Sequence, residues 1–179
     1  MVIHLVLGGA RSGKSRFAEQ LVANWQLNTP KAEYIYVATA QALDKEMQAR
    51  IAHHKAQRQS AALGWQTIES PLHLSATLNK YANVNSVILV DCLTLWLTNH
   101  LLDEASDWRT VKADLLTSLE SFPGQLILVS NEVGNGIVPM GELSRRFVDE
   151  AGWLHQDIAA LADNVTLVTA GLPLSLKST

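Results

Sequence analysis

The run Gly8-Gly9-Ala10-Arg11-Ser12-Gly13-Lys14-Ser15 places two glycines, a lysine and a hydroxyl in the pattern G-x-x-x-x-G-K-[ST]. Glycines let successive backbone N–H groups turn inward around phosphate oxygens, and a helix opening after such a loop adds its positive end. Lys14 is then the side chain that reaches the terminal phosphates, and the Ser15 hydroxyl is the ligand for a nucleotide-bound Mg²⁺. The bland alternative is a glycine turn with a solvated lysine. The short apolar run Ile3 to Leu7 before the loop and the helical spacing of Phe17, Ala18, Leu21, Val22 and Trp25 after it favour nucleotide binding.

Three further positions carry chemistry. Asp91 closes the apolar run Val87 to Val90, where an acid can hold the metal or its water; the competing reading is an N-cap for the segment opening at Cys92. Glu132, after the apolar run Leu126 to Val129, is suited to substrate or proton handling, or equally to a turn or salt bridge. On a polar helix expected from about Gln41 to Arg58, Leu43, Met47 and Ile51 form a narrow apolar stripe. His53 falls roughly 200° around from Ile51 and faces away from that stripe, together with Arg50 and Gln57. A neutral imidazole there is a competent nucleophile toward phosphorus, with Arg50, Lys55 and Arg58 at hand to neutralise phosphate charge. A solvated surface pair His53-His54 is the alternative, and a metal site is disfavoured because adjacent helical histidines diverge.

The elements that position these residues alternate. Strands are expected at Ile3 to Leu7, Tyr34 to Ala38, Trp65 to Glu69, Val87 to Val90, Leu126 to Val129 and Val165 to Val168. Helices lie between them, one capped by Ser70 with Pro71 in its first turn, and another long one marked by Leu143, Phe147, Ala151, Leu154, Ile158 and Leu161. This order predicts an α/β fold: a mainly parallel sheet with helices on both faces. The tail, Leu172, Leu174 and Leu176 around Pro173, suits only an edge strand. Leu93, Leu95, Trp96, Leu97, Leu101 and Leu102 make the helix after Asp91 apolar nearly all round, so it is either buried or shared with another subunit.

Composition narrows the partners. At 179 residues and 47% hydrophobic, the chain suits one substantial core, and residues 1–179 read as a single domain. A net charge of -3 supplies no general cationic field for nucleic acid, and the five tryptophans are scattered rather than grouped for base stacking. One cysteine, no basic leader before the first apolar run and no stretch of about 18 uncharged apolar residues lead to the expectation of a cytoplasmic protein without a membrane span.

Taken together, the loop at 8 to 15, Tyr36-Val37-Ala38-Thr39-Ala40, Glu46-Met47 with Arg50-Ile51 and His53-His54-Lys55, Trp65 with Thr67 and Glu69, and Asn131-Glu132-Val133-Gly134-Asn135-Gly136-Ile137-Val138-Pro139 resemble the bifunctional adenosylcobinamide kinase/adenosylcobinamide-phosphate guanylyltransferases. The resemblance spans nearly the whole chain. It implies a RecA-like P-loop fold with an antiparallel edge strand, usually oligomeric and in this reading a homotrimer. It implies an enzyme using ATP or GTP with Mg²⁺ to phosphorylate adenosylcobinamide, then joining GMP from GTP to adenosylcobinamide phosphate. By the same matching His53 is the guanylylated histidine. The loop Gly8, Gly9, Ala10, Arg11, Ser12, Gly13, Lys14 and Ser15, with Ala38, Thr39, Ala40, Lys55, Ala56, Gln57, Arg58, Glu69 and Asp91, falls at nucleotide-contacting positions. The chain departs from the family at Ala40, where serine is frequent, at Asp91, where glutamate is frequent, and at His155, where asparagine is frequent. The shorter acid at 91 leaves open whether it meets metal or guanine, and His155 reads as a neutral change on a packed helix. Rival readings are a small-molecule kinase that never guanylylates and a RecA-like ATPase whose output is binding.

Overall fold

The computed structural model describes residues 2–29, 31–41 and 64–179; beyond Gln41, the helix expected from about Gln41 to Arg58, with His53, Lys55, Ala56, Gln57 and Arg58, falls on residues outside them. In chain order the elements are β1 (Val2–Gly8), α1 (Lys14–Asn28), β2 (Glu33–Ala38), β3 (Gln66–Glu69), α2 (Leu74–Lys80) and β4 (Ser86–Asp91). There follow α3 (Leu93–Leu102), α4 (Trp108–Glu120), β5 (Gln125–Asn131), α5 (Glu142–Leu161), β6 (Asn164–Thr169) and β7 (Leu172–Ser178).

The seven strands among the described residues form one sheet in the order β3-β2-β4-β5-β1-β6-β7. Every pairing is parallel except β6 with β7. The central strands β1, β4 and β5 carry apolar runs, interrupted in β1 by buried His4, because both faces are covered. Ile3, Leu5, Ile88, Val90, Leu126 and Leu128 face a core shared with α2, α3, α4 and α5. Val6, Tyr36, Leu89, Ile127 and Val129 face the opposite side, where Ala18 and Val22 of α1 cover them. The strand period of two thus divides each central strand between two cores.

The expected apolar helix after Asp91 is largely core: Leu93, Trp96 and Leu97 are fully buried. Trp96 donates its indole N–H to Leu72 O at 3.1 Å and packs edge-on against His100 and Trp108. Leu102, at the end of the helix, is 55% exposed. Ser70 departs from its expected role as a cap. The helix begins at Leu74 behind His73, because Ser70 still belongs to the sheet edge: its N–H donates to Ala38 O at 2.8 Å and its hydroxyl meets that of Thr77 at 2.8 Å.

The β6–β7 hairpin turns through Ala170 (φ 51) and Gly171 (φ 78), the two positive φ values of a tight turn matched to the strand twist. Pro173 sits on the outer strand opposite Val168, where a missing N–H interrupts no interior ladder.

Candidate active site

Register brings the chemistry-bearing residues to one edge of the sheet. Ala38 pairs with Glu69 on one side and with Asp91 on the other, and Gly8 pairs with Asn131. The carboxyl ends of β1, β2, β3, β4 and β5 therefore deliver Gly8, Ala38, Glu69, Asp91 and Asn131 to a common rim, the edge at which open α/β sheets take ligands.

The phosphate loop leaves β1 at Gly8 and enters α1 at Lys14. Gly13 stands at φ 97 as the residue before the helix, and no side chain caps the N–H groups of the first turn, so they point into the loop. Arg11 also holds a positive φ of 56. Gly8 is required by close approach: a Cβ there would lie 2.4 Å from Ser12 Oγ and 2.5 Å from Val168 O. The loop is braced from the hairpin, where the Gly171 N–H donates to Ser12 O at 2.8 Å. Lys14 Nζ donates to Gly9 O at 3.2 Å.

Asp91 is tied to this loop. Its Oδ2 accepts from Ser15 Oγ at 3.0 Å and from Tyr36 OH at 2.9 Å. The hydroxyl and carboxylate form an oxygen donor set of the kind that Mg²⁺ prefers, so these residues fit that ion. Asp91 does not cap the next helix; Cys92 stands at that position in extended conformation, and the Asp91–Cys92 peptide is cis. Thr39 encloses this corner, its hydroxyl donating to Cys92 O and accepting from Cys92 N–H, both at 2.8 Å. Its own carbonyl accepts from Asn99 Nδ2 at 2.8 Å. The Thr39 side chain is thus committed to the fold, while Ala38 and Ala40 flank it at the rim. Burial, reinforced by the Asp91 charge, pushes the Cys92 thiol up to about 11.

At the end of β5, Asn131 Nδ2 donates to Thr94 Oγ1 at 2.9 Å, fixing the strand end to α3. The next residue, Glu132, donates its N–H to Gly8 O at 3.1 Å, and its Oε1 accepts from the Gly134 N–H at 2.6 Å. Beneath it, buried His155 places Nε2 2.7 Å from Ser130 Oγ and Nδ1 4.0 Å from Glu132 Oε2. Burial lowers the His155 pKa below the usual histidine value, partly opposed by Glu132.

Lys14, Ser15, Asp91 and the loop backbone, expected together from sequence, share one corner; Glu69 stands two strands from Asp91 across β2. Tyr36, Gly171 and the Ser130–His155 pair were not anticipated. Tyr36 and Ser130 read as strand residues, and no local pattern signals that a tail hairpin returns to the phosphate loop.

A strand and glycine loop feeding a helix N-terminus, with an acid from the strand two places away bonded to the loop serine, define a RecA-like P-loop nucleotide enzyme. The flagellar accessory protein FlaH from Methanocaldococcus jannaschii shares the fold with a TM-score of 0.53 at 15% identity, over 99% of this chain and 79% of that one. The profile of the family described as cobinamide kinase / cobinamide phosphate guanyltransferase matches residues 4–176, and the chain belongs to that family. It is 55% identical over 174 residues to a bifunctional adenosylcobalamin biosynthesis protein CobP of Pseudomonas aeruginosa, covering 97% of this chain and 96% of the relative. It is 40% identical over 187 residues to the bifunctional adenosylcobalamin biosynthesis protein CobU of Escherichia coli K12, covering 97% and 98%.

Proposed function

We propose that this enzyme phosphorylates the aminopropanol hydroxyl of adenosylcobinamide and then transfers GMP from GTP to adenosylcobinamide phosphate, through a guanylylated His53. The observation that carries the phosphoryl chemistry is the Ser15–Asp91 contact at the mouth of a complete phosphate loop. Loop amides and Lys14 hold the phosphates and stabilise charge that grows on them, so catalysis is mostly positioning and electrostatics. Ser15 and Asp91 are the residues that would hold Mg²⁺, which when bound draws electron density from the phosphate oxygens. Asp91 meets the Ser15 side of the site, which favours the metal over the guanine base as its partner. Glu69, Ala38 and Ala40, on the rim further along the sheet, are left to contact the nucleoside.

In the second reaction the His53 imidazole attacks the α-phosphorus of GTP, pyrophosphate leaves, and the corrinoid phosphate then displaces the imidazole to take GMP. Splitting the transfer makes each displacement easier. The role of His53, with Lys55, Ala56, Gln57 and Arg58 as nucleotide contacts, rests on the family motif. A homotrimer follows from the same resemblance, and the exposed apolar side chains Leu102, Ile137, Val138, Met140 and Leu143, of which Leu102 and Leu143 line one groove, support contact between copies. No described helix is long and apolar enough to cross a membrane. Buried, unpaired Cys92 goes with a reducing cytoplasm.

Incubation with α-phosphate-labelled GTP without corrinoid, followed by denaturing electrophoresis, should give an acid-labile labelled band that His53→Asn lacks. Equal labelling of the two proteins would end the histidine proposal. Lys14→Ala should abolish both corrinoid phosphorylation and guanylylation, and a full rate in both would refute the shared phosphate site.

A further inference from the structure

Ser130, His155 and Glu132 form a short polar line that runs from β5 to α5 and back to the residue after β5. Ser130 is fully buried in β5, with Leu7 of β1 beside it, and His155 projects from α5 with 8% exposure. Their 2.7 Å contact is one hydrogen bond, and the other ring nitrogen faces Glu132. The carboxylate favours the Nδ1–H tautomer, so we assign Nε2 as the acceptor of the Ser130 hydroxyl proton. At 4.0 Å, Nδ1–H and Oε2 are too far apart for a direct hydrogen bond, and the ring acts on the carboxylate as an oriented dipole. The elements match those of a nucleophilic triad, but a serine with no exposed surface admits no substrate.

Glu132 is the member that reaches outward, its side chain 24% exposed. Its backbone is bonded to Gly8, the first residue of the phosphate loop, and Oε1 is held by the Gly134 N–H. Among the described residues Oε2 accepts no hydrogen bond, and it lies 4.0 Å from Nδ1 of buried His155. With burial holding the His155 pKa below its usual value, a neutral ring stands behind the carboxylate and orients it without forming an ion pair.

We propose that Ser130 and His155 are a buried support that orients Glu132 to accept the proton of the attacking substrate hydroxyl, His155 being a positioning residue and Glu132 the group that meets substrate. The inference rests on the phosphorylation reading given above. The hydroxyl oxygen bonds to the terminal phosphorus, and the bond from that phosphorus to the β-phosphate oxygen breaks. The nucleoside diphosphate leaves with the electron pair, and the proton goes to Glu132 Oε2.

Corrinoid phosphorylation kinetics on the full-length protein test this, with thermal unfolding run alongside. Glu132→Gln should lower kcat about 100-fold while the nucleotide KM stays within about threefold. Asparagine places its amide where Nδ1 stands and glutamine where Nε2 stands. His155→Asn should therefore keep kcat within about twofold, and His155→Gln should lose about tenfold. In the Glu132→Gln background His155→Gln should cost nothing further, because the two act as one unit. If His155→Gln fails to unfold cooperatively, Ser130→Ala carries the same test: a loss of a few fold alone, and none once Glu132 is Gln. Wild-type kcat in Glu132→Gln would overturn the proton role, and full additivity of the two changes would overturn positioning by His155. Absence of adenosylcobinamide phosphorylation by the wild-type enzyme would instead overturn the functional reading beneath both.

Discussion

Alanine at position 8 tests whether the phosphate loop is set by packing against β6 or by its own turn. The added Cβ would sit 2.4 Å from Ser12 Oγ and 2.5 Å from Val168 O, whereas ordinary contact begins at 3.4 Å. Ser12 can rotate its hydroxyl aside, but the Val168 carbonyl belongs to a strand paired on both edges of its sheet position. About 1 Å must then come from separating β1 and β6 at their carboxyl ends, and such overpacking costs about 1–3 kcal/mol. For a chain of this size that is a fall in Tm of roughly 3–10 °C. Gly9→Ala is the control: nothing lies within 4 Å of its would-be Cβ, so Tm should move by no more than about 2 °C. Scanning calorimetry of the two proteins without nucleotide separates the cases. A Gly8→Ala protein melting with the wild type, or a Gly9→Ala protein equally destabilised, would refute the reasoning.

Burial lowers the pKa of His4, His100 and His155 below the ordinary value of 6.5. The unfolded chain therefore takes up protons below about pH 6.5 that the native protein refuses, and stability falls as pH drops from there toward the lowered native values. Each histidine contributes up to about 1.4 kcal/mol per pH unit, so urea midpoints should decline from pH 7 to 5, and His4→Gln should flatten that slope; a level profile would contradict it. Ala170 holds φ 51 beside Gly171 at φ 78; Ala170→Asn should raise stability by up to about 1 kcal/mol in urea unfolding, since asparagine tolerates that conformation better. Cys92, buried and with its thiol pushed up to about 11 by that burial, should react with a thiol reagent at pH 8 only as fast as the protein unfolds, and prompt labelling of the native protein would place the sulfur at the surface.

Local pattern settled the phosphate loop, the alternation of strands and helices, and the placing of Asp91 at a strand end, because backbone turns and burial periodicity are written within a few consecutive residues. The edge position of β7 was likewise legible, since Pro173 excludes it from the sheet interior. Strand boundaries extended beyond the apolar runs: Asn131 and Asp91 are polar yet in register. Ser70 misled as a cap because a serine before proline looks the same whether its N–H serves a helix or a neighbouring strand. Only the tertiary structure decided that Asp91 bonds Ser15 and Tyr36, that Gly171 braces Ser12, and that His155 underlies Glu132. Those pairs are 76, 55, 159 and 23 residues apart in sequence. No local propensity encodes such contacts; they follow from strand order, register and helix docking, which are properties of the whole packed chain.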